Sequence, residues 1–219
     1  MRTVIFDLDG TLADTSGDLI AAANACFRGL GHGDVLDPAS DQSTALRGAM
    51  AMLRLGFSRL GLGDEGVAAQ FPVFLEHYGE NIDVFTRLYP GVAAALEGLV
   101  AAGYRVGICT NKPEGLAELL MSRLGVRGLF HSLVGADTLP VRKPDPKPYV
   151  AAVERAGGVL ARSLLVGDTV TDRETARAAG VASVLVTFGP DGAGVAELEP
   201  EALLDAYADL AGIVARLIG

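Results

Sequence analysis

Met1-Arg2-Thr3-Val4-Ile5-Phe6-Asp7-Leu8-Asp9-Gly10-Thr11-Leu12 holds the strongest structural signal in the chain. A short apolar, β-branched run ends at once in two carboxylates, two residues apart, and a glycine then permits a sharp turn. This predicts a buried strand that breaks into a polar crest. Carboxylates this close repel each other unless they share a cation or one stays protonated, and either outcome suits nucleophilic or acid/base chemistry. A bare Asp-x-Asp arises easily by chance. Placed directly after an apolar strand and followed by Gly-Thr, it is far rarer.

The same kind of strand recurs further along the chain, between helical stretches. Thr3–Phe6, Arg105–Thr110, Leu133–Gly135, Ser163–Val166 and Ser183–Thr187 read as strands. Val92–Ala102, Glu114–Leu124, Pro146–Ala156, Thr171–Ala179 and Glu201–Leu217 carry helical spacing. Strands separated by single helices imply right-handed βαβ units, hence an α/β fold with a Rossmann-like parallel sheet. Catalytic groups are then expected just beyond the C-terminal strand ends. Residues 13–88 interrupt the alternation with helical stretches at about 17–29, 42–60 and 65–80 and no convincing strand. The predicted division is a core of residues 1–13 and 89–219 and an inserted helical subdomain of residues 14–88. Residues 189–200, rich in Gly, Pro and acids, read as a surface loop.

Composition narrows the function. Half of the 219 residues are hydrophobic and the formal charge is −9, so the chain can fill a core and presents no basic face for nucleic acid. The two cysteines, Cys26 and Cys109, form no disulfide framework, and Cys109 lies in a predicted strand where it reads as core. The chain reaches Asp7 too early for a signal peptide and has no apolar run of membrane-spanning length. A soluble cytoplasmic protein is the expectation.

Three further polar clusters follow predicted strands. Thr110-Asn111 offers a hydroxyl and backbone amides, an anion cradle or a plain helix cap. Lys143, in Arg142-Lys143-Pro144-Asp145-Pro146, sits on a stiff segment; local sequence alone makes it a solvated surface lysine. Gly167-Asp168-Thr169-Val170-Thr171-Asp172 places Asp172 one helical turn beyond Asp168 on the same side. Their carboxylates converging with Asp7 would suit Mg²⁺; the plain alternative is an N-cap and an ordinary helix acid. In one crevice, two acids, an anion cradle, a lysine and further acids make sense as phosphoryl-transfer machinery. Gly61-Leu-Gly-Asp-Glu-Gly66 matches a dinucleotide fingerprint but follows a helix, so it reads as a helix stop and turn. No P-loop exists, and His32, His77 and His131 have no metal spacing.

With these motifs in this order, the chain resembles the haloacid dehalogenase superfamily in its phosphatase branch. Phe6-Asp-Leu-Asp-Gly-Thr-Leu12, Thr110-Asn-Lys-Pro113 and Arg142-Lys-Pro-Asp-Pro146 make it similar to the bacterial phosphoglycolate phosphatases. The resemblance implies that Asp7 attacks phosphorus and that Asp9 serves as acid, then base. It implies Mg²⁺ held by Asp7, the backbone carbonyl of Asp9 and Asp168. Thr110, the Asn111 amide and Lys143 would hold phosphoryl oxygens, Asp172 would orient Lys143 or the metal waters, and the helical insertion would be a cap. A small phosphorylated metabolite, 2-phosphoglycolate, is the expected partner, whereas nucleic acid and membranes are not. Monomer and homodimer both stay open. Arg47, before Gly48, is the cap residue expected to grip a substrate carboxylate, with a solvated helix arginine as the alternative. Asp9 argues against a dehalogenase. The absence of any lysine in residues 13–88 argues against a phosphonate hydrolase with a cap lysine. A phosphatase for pyrophosphate or a sugar phosphate, a β-phosphoglucomutase-like phosphotransferase, and a relative without turnover are the other readings.

Overall fold

The structure is a computed structural model and describes residues 1–219. β1 (Thr3–Phe6) leads to a two-residue strand, β2 (Ala13–Asp14), and then to four helices: α1 (Ser16–Gly29), α2 (Gln42–Ala45), α3 (Ala49–Arg59) and α4 (Val67–Glu80). After β3 (Arg87–Leu88), helices and strands alternate: α5 (Val92–Ala101), β4 (Arg105–Cys109), α6 (Glu114–Arg123), β5 (Ser132–Val134) and α7 (Lys147–Arg155). β6 (Ser163–Gly167), α8 (Val170–Ala179), β7 (Ala182–Val186), β8 (Ala202–Leu204) and α9 (Leu210–Ile218) complete the chain. Two compact units result, Met1–Ala13 with Leu88–Gly219, and Asp14–Arg87.

The first unit is an α/β fold built on a six-stranded sheet of order β5-β4-β1-β6-β7-β8, every neighbouring pair parallel. β1 is buried along its whole length, as a central parallel strand covered on both faces must be. In register, Phe6 stands beside Ile108 on one side and Val166 on the other. The residues that follow these three strands therefore emerge at one level. Beneath them Ile5, Cys109, Val134, Tyr149, Val153 and Leu165 form part of one buried apolar cluster, which gives the crest a rigid floor. The two interruptions of this unit's backbone are neighbours, since the Tyr89 amide donates to the Leu12 carbonyl at 3.0 Å.

The second unit is helical. Phe27 of α1 meets Phe57 of α3 with ring centres 6.0 Å apart, and the buried Asp18 accepts the Phe85 and Thr86 amides at 2.9 and 2.8 Å. That carboxylate ties the end of the unit back to its first helix.

Five predicted strands appear within a residue or two of their expected limits. The sixth corrects the reading of Glu201–Leu217 as a helix: Ala202–Leu204 pairs with Val184–Val186, and the helix starts only at Leu210. Its Ala-Leu-Leu run has helical propensity, but an open sheet edge and the Arg173–Glu201 ion pair hold it extended. The stretch 42–60 is likewise two helices, broken at Gly48, whose φ of 96° no α-helix accommodates. Residues 189–200 include a 3₁₀ segment, Gly192–Leu198, rather than open loop throughout. Gly61, at φ 68°, does terminate α3. No helix is long and apolar enough to cross a membrane.

Candidate active site

The crest of the α/β unit gathers the polar residues that follow β1, β4 and β6. Asp7 leaves β1 with its amide bonded to the Val166 carbonyl at 2.8 Å, which fixes it level with the end of β6. Gly10 then adopts φ 79° and turns the chain. Tyr207, buried, donates from its hydroxyl to the Thr11 carbonyl at 2.8 Å and braces this turn from below.

Lys143 sits between two carboxylates, 2.6 Å from Asp172 Oδ1 and 3.0 Å from Asp7 Oδ1. The first contact is an aligned hydrogen bond; the second is ionic and out of line for one. With a side chain only 2% exposed, Lys143 corrects the surface reading of its local sequence. Its partners lie 136 and 29 residues away (143 − 7 and 172 − 143), beyond any local pattern. Burial alone would favour neutral lysine, but Asp172 and Asp7 outweigh it and keep the ammonium charged above its usual range.

Asp172 is fully buried, and both its oxygens are engaged. Oδ1 accepts from Lys143. Oδ2 accepts from the Thr169 hydroxyl at 2.9 Å and from the Thr169 and Asp168 amides, closing a capping box at the start of α8. Gly167 makes the approach possible: a Cβ there would lie 2.3 Å from the Asp172 Cβ and Cγ.

Asp168 is held differently. Its Oδ1 accepts from the Thr11 hydroxyl at 3.1 Å, while its buried Oδ2 has no hydrogen-bond partner. Asp7, Asp168 and Asp172 bring carboxylate oxygens within 4.8 Å of one another. Burial, reinforced by the neighbouring acids, raises Asp168 well above its ordinary pKa. Burial also raises Asp7 to about 6, against the pull of Lys143 and with Asp172 and Asp9 adding to the rise. The unpartnered buried oxygen of Asp168, close to the Asp7 carboxylate, makes a hard-oxygen donor set that fits Mg²⁺. Since Asp172 is saturated by Lys143 and the helix cap, Asp7 and Asp168 are the carboxylates available to a metal.

Asp9 stands apart from this group. Its Oδ1 accepts from Lys112 Nζ at 2.7 Å, in a contact where the lysine side chain is 4% exposed and the acid 18%. Lys112 is a site residue to which the sequence assigns no role, although it lies within the Thr110-Asn-Lys-Pro113 motif. Position was the available signal, because it directly follows Thr110-Asn111 at a strand end. Thr110 is buried and its hydroxyl accepts the Lys112 amide at 3.2 Å. Asn111 donates from its side-chain amide to the Lys143 carbonyl at 3.1 Å, linking the two loops. α6 begins only at Glu114, so Thr110 and Asn111 do not cap it; the Glu114 amide instead donates to Asp137 at 2.7 Å.

Arg47 belongs to the helical unit, at the break between α2 and α3, where it is exposed. Among that unit's arginines, Arg28 pairs with Asp34, Arg54 with Asp64 and Arg59 with Asp41, and Arg87 binds backbone carbonyls. Arg47 alone has no such partner.

Comparison with known proteins agrees with this architecture. Residues 4–186 match the model of the haloacid dehalogenase-like hydrolases. The phosphoglycolate phosphatase of Rhodospirillum rubrum is 39% identical over 217 residues, covering 95% of this chain and 89% of the relative. That of Agrobacterium fabrum is 37% identical, covering 94% and 89%. Among solved structures, a predicted phosphoglycolate phosphatase from Haemophilus somnus 129pt superposes with a TM-score of 0.85 at 27% identity, covering 97% of each chain. A buried acid–lysine crest on a parallel sheet, a family match over most of the length and relatives near 40% identity all converge: this chain belongs to the haloacid dehalogenase-like hydrolase family, among relatives that are phosphatases.

Proposed function

We propose that the chain is a Mg²⁺-dependent phosphomonoester hydrolase that works through an aspartyl-phosphate on Asp7 and converts 2-phosphoglycolate to glycolate and phosphate. The observation that carries this reading is the separation of two nearby carboxylates into different environments. Asp7 lies against Lys143 beside an orphaned Asp168 oxygen, and Asp9 is held by Lys112. Such a pair divides naturally into nucleophile and acid/base. The substrate is inferred from the names of the relatives.

Asp7, Asp168 and the Asp9 carbonyl would hold Mg²⁺, which supplies charge neutralisation for the phosphoryl oxygens. An Asp7 oxygen forms the new bond to phosphorus as the ester P–O bond breaks, and Asp9 gives its proton to the departing alkoxide. Asp9 then takes a proton from the water that attacks phosphorus, and phosphate leaves with Asp7 restored. Lys143, Thr110 and the Asn111 amide hold phosphoryl oxygens, and Asp172 is a positioning residue that fixes the ammonium. The helical unit, residues 14–88, acts as the specificity cap. Two buried thiols without a disulfide suit a reducing cytoplasm.

The test is phosphate release from a panel of small phosphate esters and pyrophosphate, with Mg²⁺ and with chelator. Expected is strongest turnover of 2-phosphoglycolate, abolished by chelation. A preference for pyrophosphate or sugar phosphates, or phosphoryl transfer between sugar positions, would overturn the substrate assignment.

A further inference from the structure

We propose that Lys112 is a specificity residue of the α/β unit: it holds the carboxylate of the leaving group beside Asp9. The inference rests on the phosphatase reading above and deepens it.

Lys112 is fixed on three sides. Its amide donates to Thr110 Oγ1 at 3.2 Å, its carbonyl accepts from the Ala136 amide at 2.9 Å, and Nζ donates to Asp9 Oδ1 at 2.7 Å. Burying and ordering a lysine costs side-chain entropy and hydration, so a surface loop has no physical reason to spend one here. The phosphoryl end is already served by Lys143, which is locked between Asp7 and Asp172.

Geometry assigns Lys112 the other end of the substrate. For Asp9 to protonate the ester oxygen, that oxygen must come within hydrogen-bond reach of the Asp9 carboxyl. Nζ is within reach of the same carboxyl. In 2-phosphoglycolate the ester oxygen carries a single methylene and then the carboxylate. The carboxylate therefore falls within a few bond lengths of Asp9, on ground where Lys112 is the adjacent cation. An ammonium has three donors, so a bond to Asp9 and one to a substrate oxygen are compatible. Once Asp9 has given up its proton, the same charge offsets the repulsion between its carboxylate and that of the departing glycolate. A neutral leaving group needs none of this.

The experiment compares 2-phosphoglycolate with 2-hydroxyethyl phosphate, in which a hydroxymethyl group replaces the carboxylate, in the full-length Mg²⁺-loaded protein. Lys112→Met should lower the preference for 2-phosphoglycolate in kcat/KM by roughly 10- to 100-fold, mainly through KM, with a smaller loss on the neutral ester. Lys112→Gln keeps a donor to Asp9 but loses the charge, so it carries the same test should the Met variant not fold. Lys112→Arg should recover part of the preference. Equal losses on both esters would overturn the proposal, because they would place the whole effect of Lys112 on Asp9. A wild-type protein that does not discriminate between the two esters would instead overturn the substrate reading beneath it, before any variant is made.

Discussion

In the α/β unit, Asp7, Asp9, Asp168 and Asp172 crowd against two lysines, and the Lys112, Lys143 and Asp172 side chains are 4%, 2% and 0% exposed. In the helical unit, Arg28–Asp34 and Arg54–Asp64 stand in solvent, the latter with side chains 59% and 76% exposed at 3.8 Å. Both arrangements count as ion pairs, yet physically they differ in kind. Exposed pairs gain little, since water screens them and ordering two long side chains offsets the attraction. Buried ones must overcome a heavy desolvation penalty, so they persist only where every atom is engaged or where something further binds. The crest has four acids to two lysines, and two buried carboxylate oxygens, Asp7 Oδ1 and Asp168 Oδ2, without a hydrogen bond. That imbalance, rather than the number of charges, separates a site from a solvated face.

The largest effect expected from disturbing the crest is at Asp7. Asp7→Asn should abolish turnover while circular dichroism and melting remain close to wild type, because Lys143 retains Asp172. Phosphate release at wild-type rate, or a trapped phosphoenzyme in this variant, would break the assignment. Next come Asp9 and Asp168, whose different environments predict different defects. Asp9→Asn should slow turnover by roughly 10²–10⁴ with Mg²⁺ affinity largely kept. Asp168→Ala should weaken Mg²⁺ binding more, as titration calorimetry would show. Equal metal affinities would dissolve the distinction between them.

A smaller effect concerns pH. The folded pKa of Asp7, about 6, lies above the ordinary 3.8, so the folded state holds a proton that the unfolded state has lost between these values. Metal-free stability should therefore fall as pH rises through that window, with Asp168 acting in the same direction. On the proposed reading Mg²⁺ would bind the ionised site, so its addition should raise the Tm more at about pH 7.5 than at about pH 5. For a ligand at about 100 times its Kd the gain is about 2.7 kcal/mol. A Tm increment independent of pH would contradict the raised carboxylates. The smallest effect belongs to the helical unit, where Arg54→Ala should cost less than about 1 kcal/mol in urea unfolding. A larger loss would erase the contrast between the two regions.

Legibility in the sequence followed the range of the forces involved. β1 and β6 were readable because central parallel strands are apolar throughout, and Asp7, Asp9 and Asp168 because they follow such strands directly. Ala202–Leu204 was not, since its extended form depends on pairing with β7 rather than on its own residues. Lys143 and Lys112 look like any lysine until the sheet register brings strand ends together. Asp172 was visible as a second acid, but its saturation depends on Gly167, whose missing side chain leaves the room it occupies.

The hydrogen bond between Tyr89 and Leu12 also bears on how such a chain tolerates change. The helical unit enters and leaves the α/β backbone through adjacent residues, so to the sheet it is a loop whose ends are already closed. Closure entropy grows only with the logarithm of loop length, about 0.6 kcal/mol per doubling. Large exchanges between Ala13 and Leu88, whether a shorter hairpin or a bulkier bundle, should therefore cost the sheet little. The acid–lysine crest can keep its folding program while the inserted module diverges at its own rate.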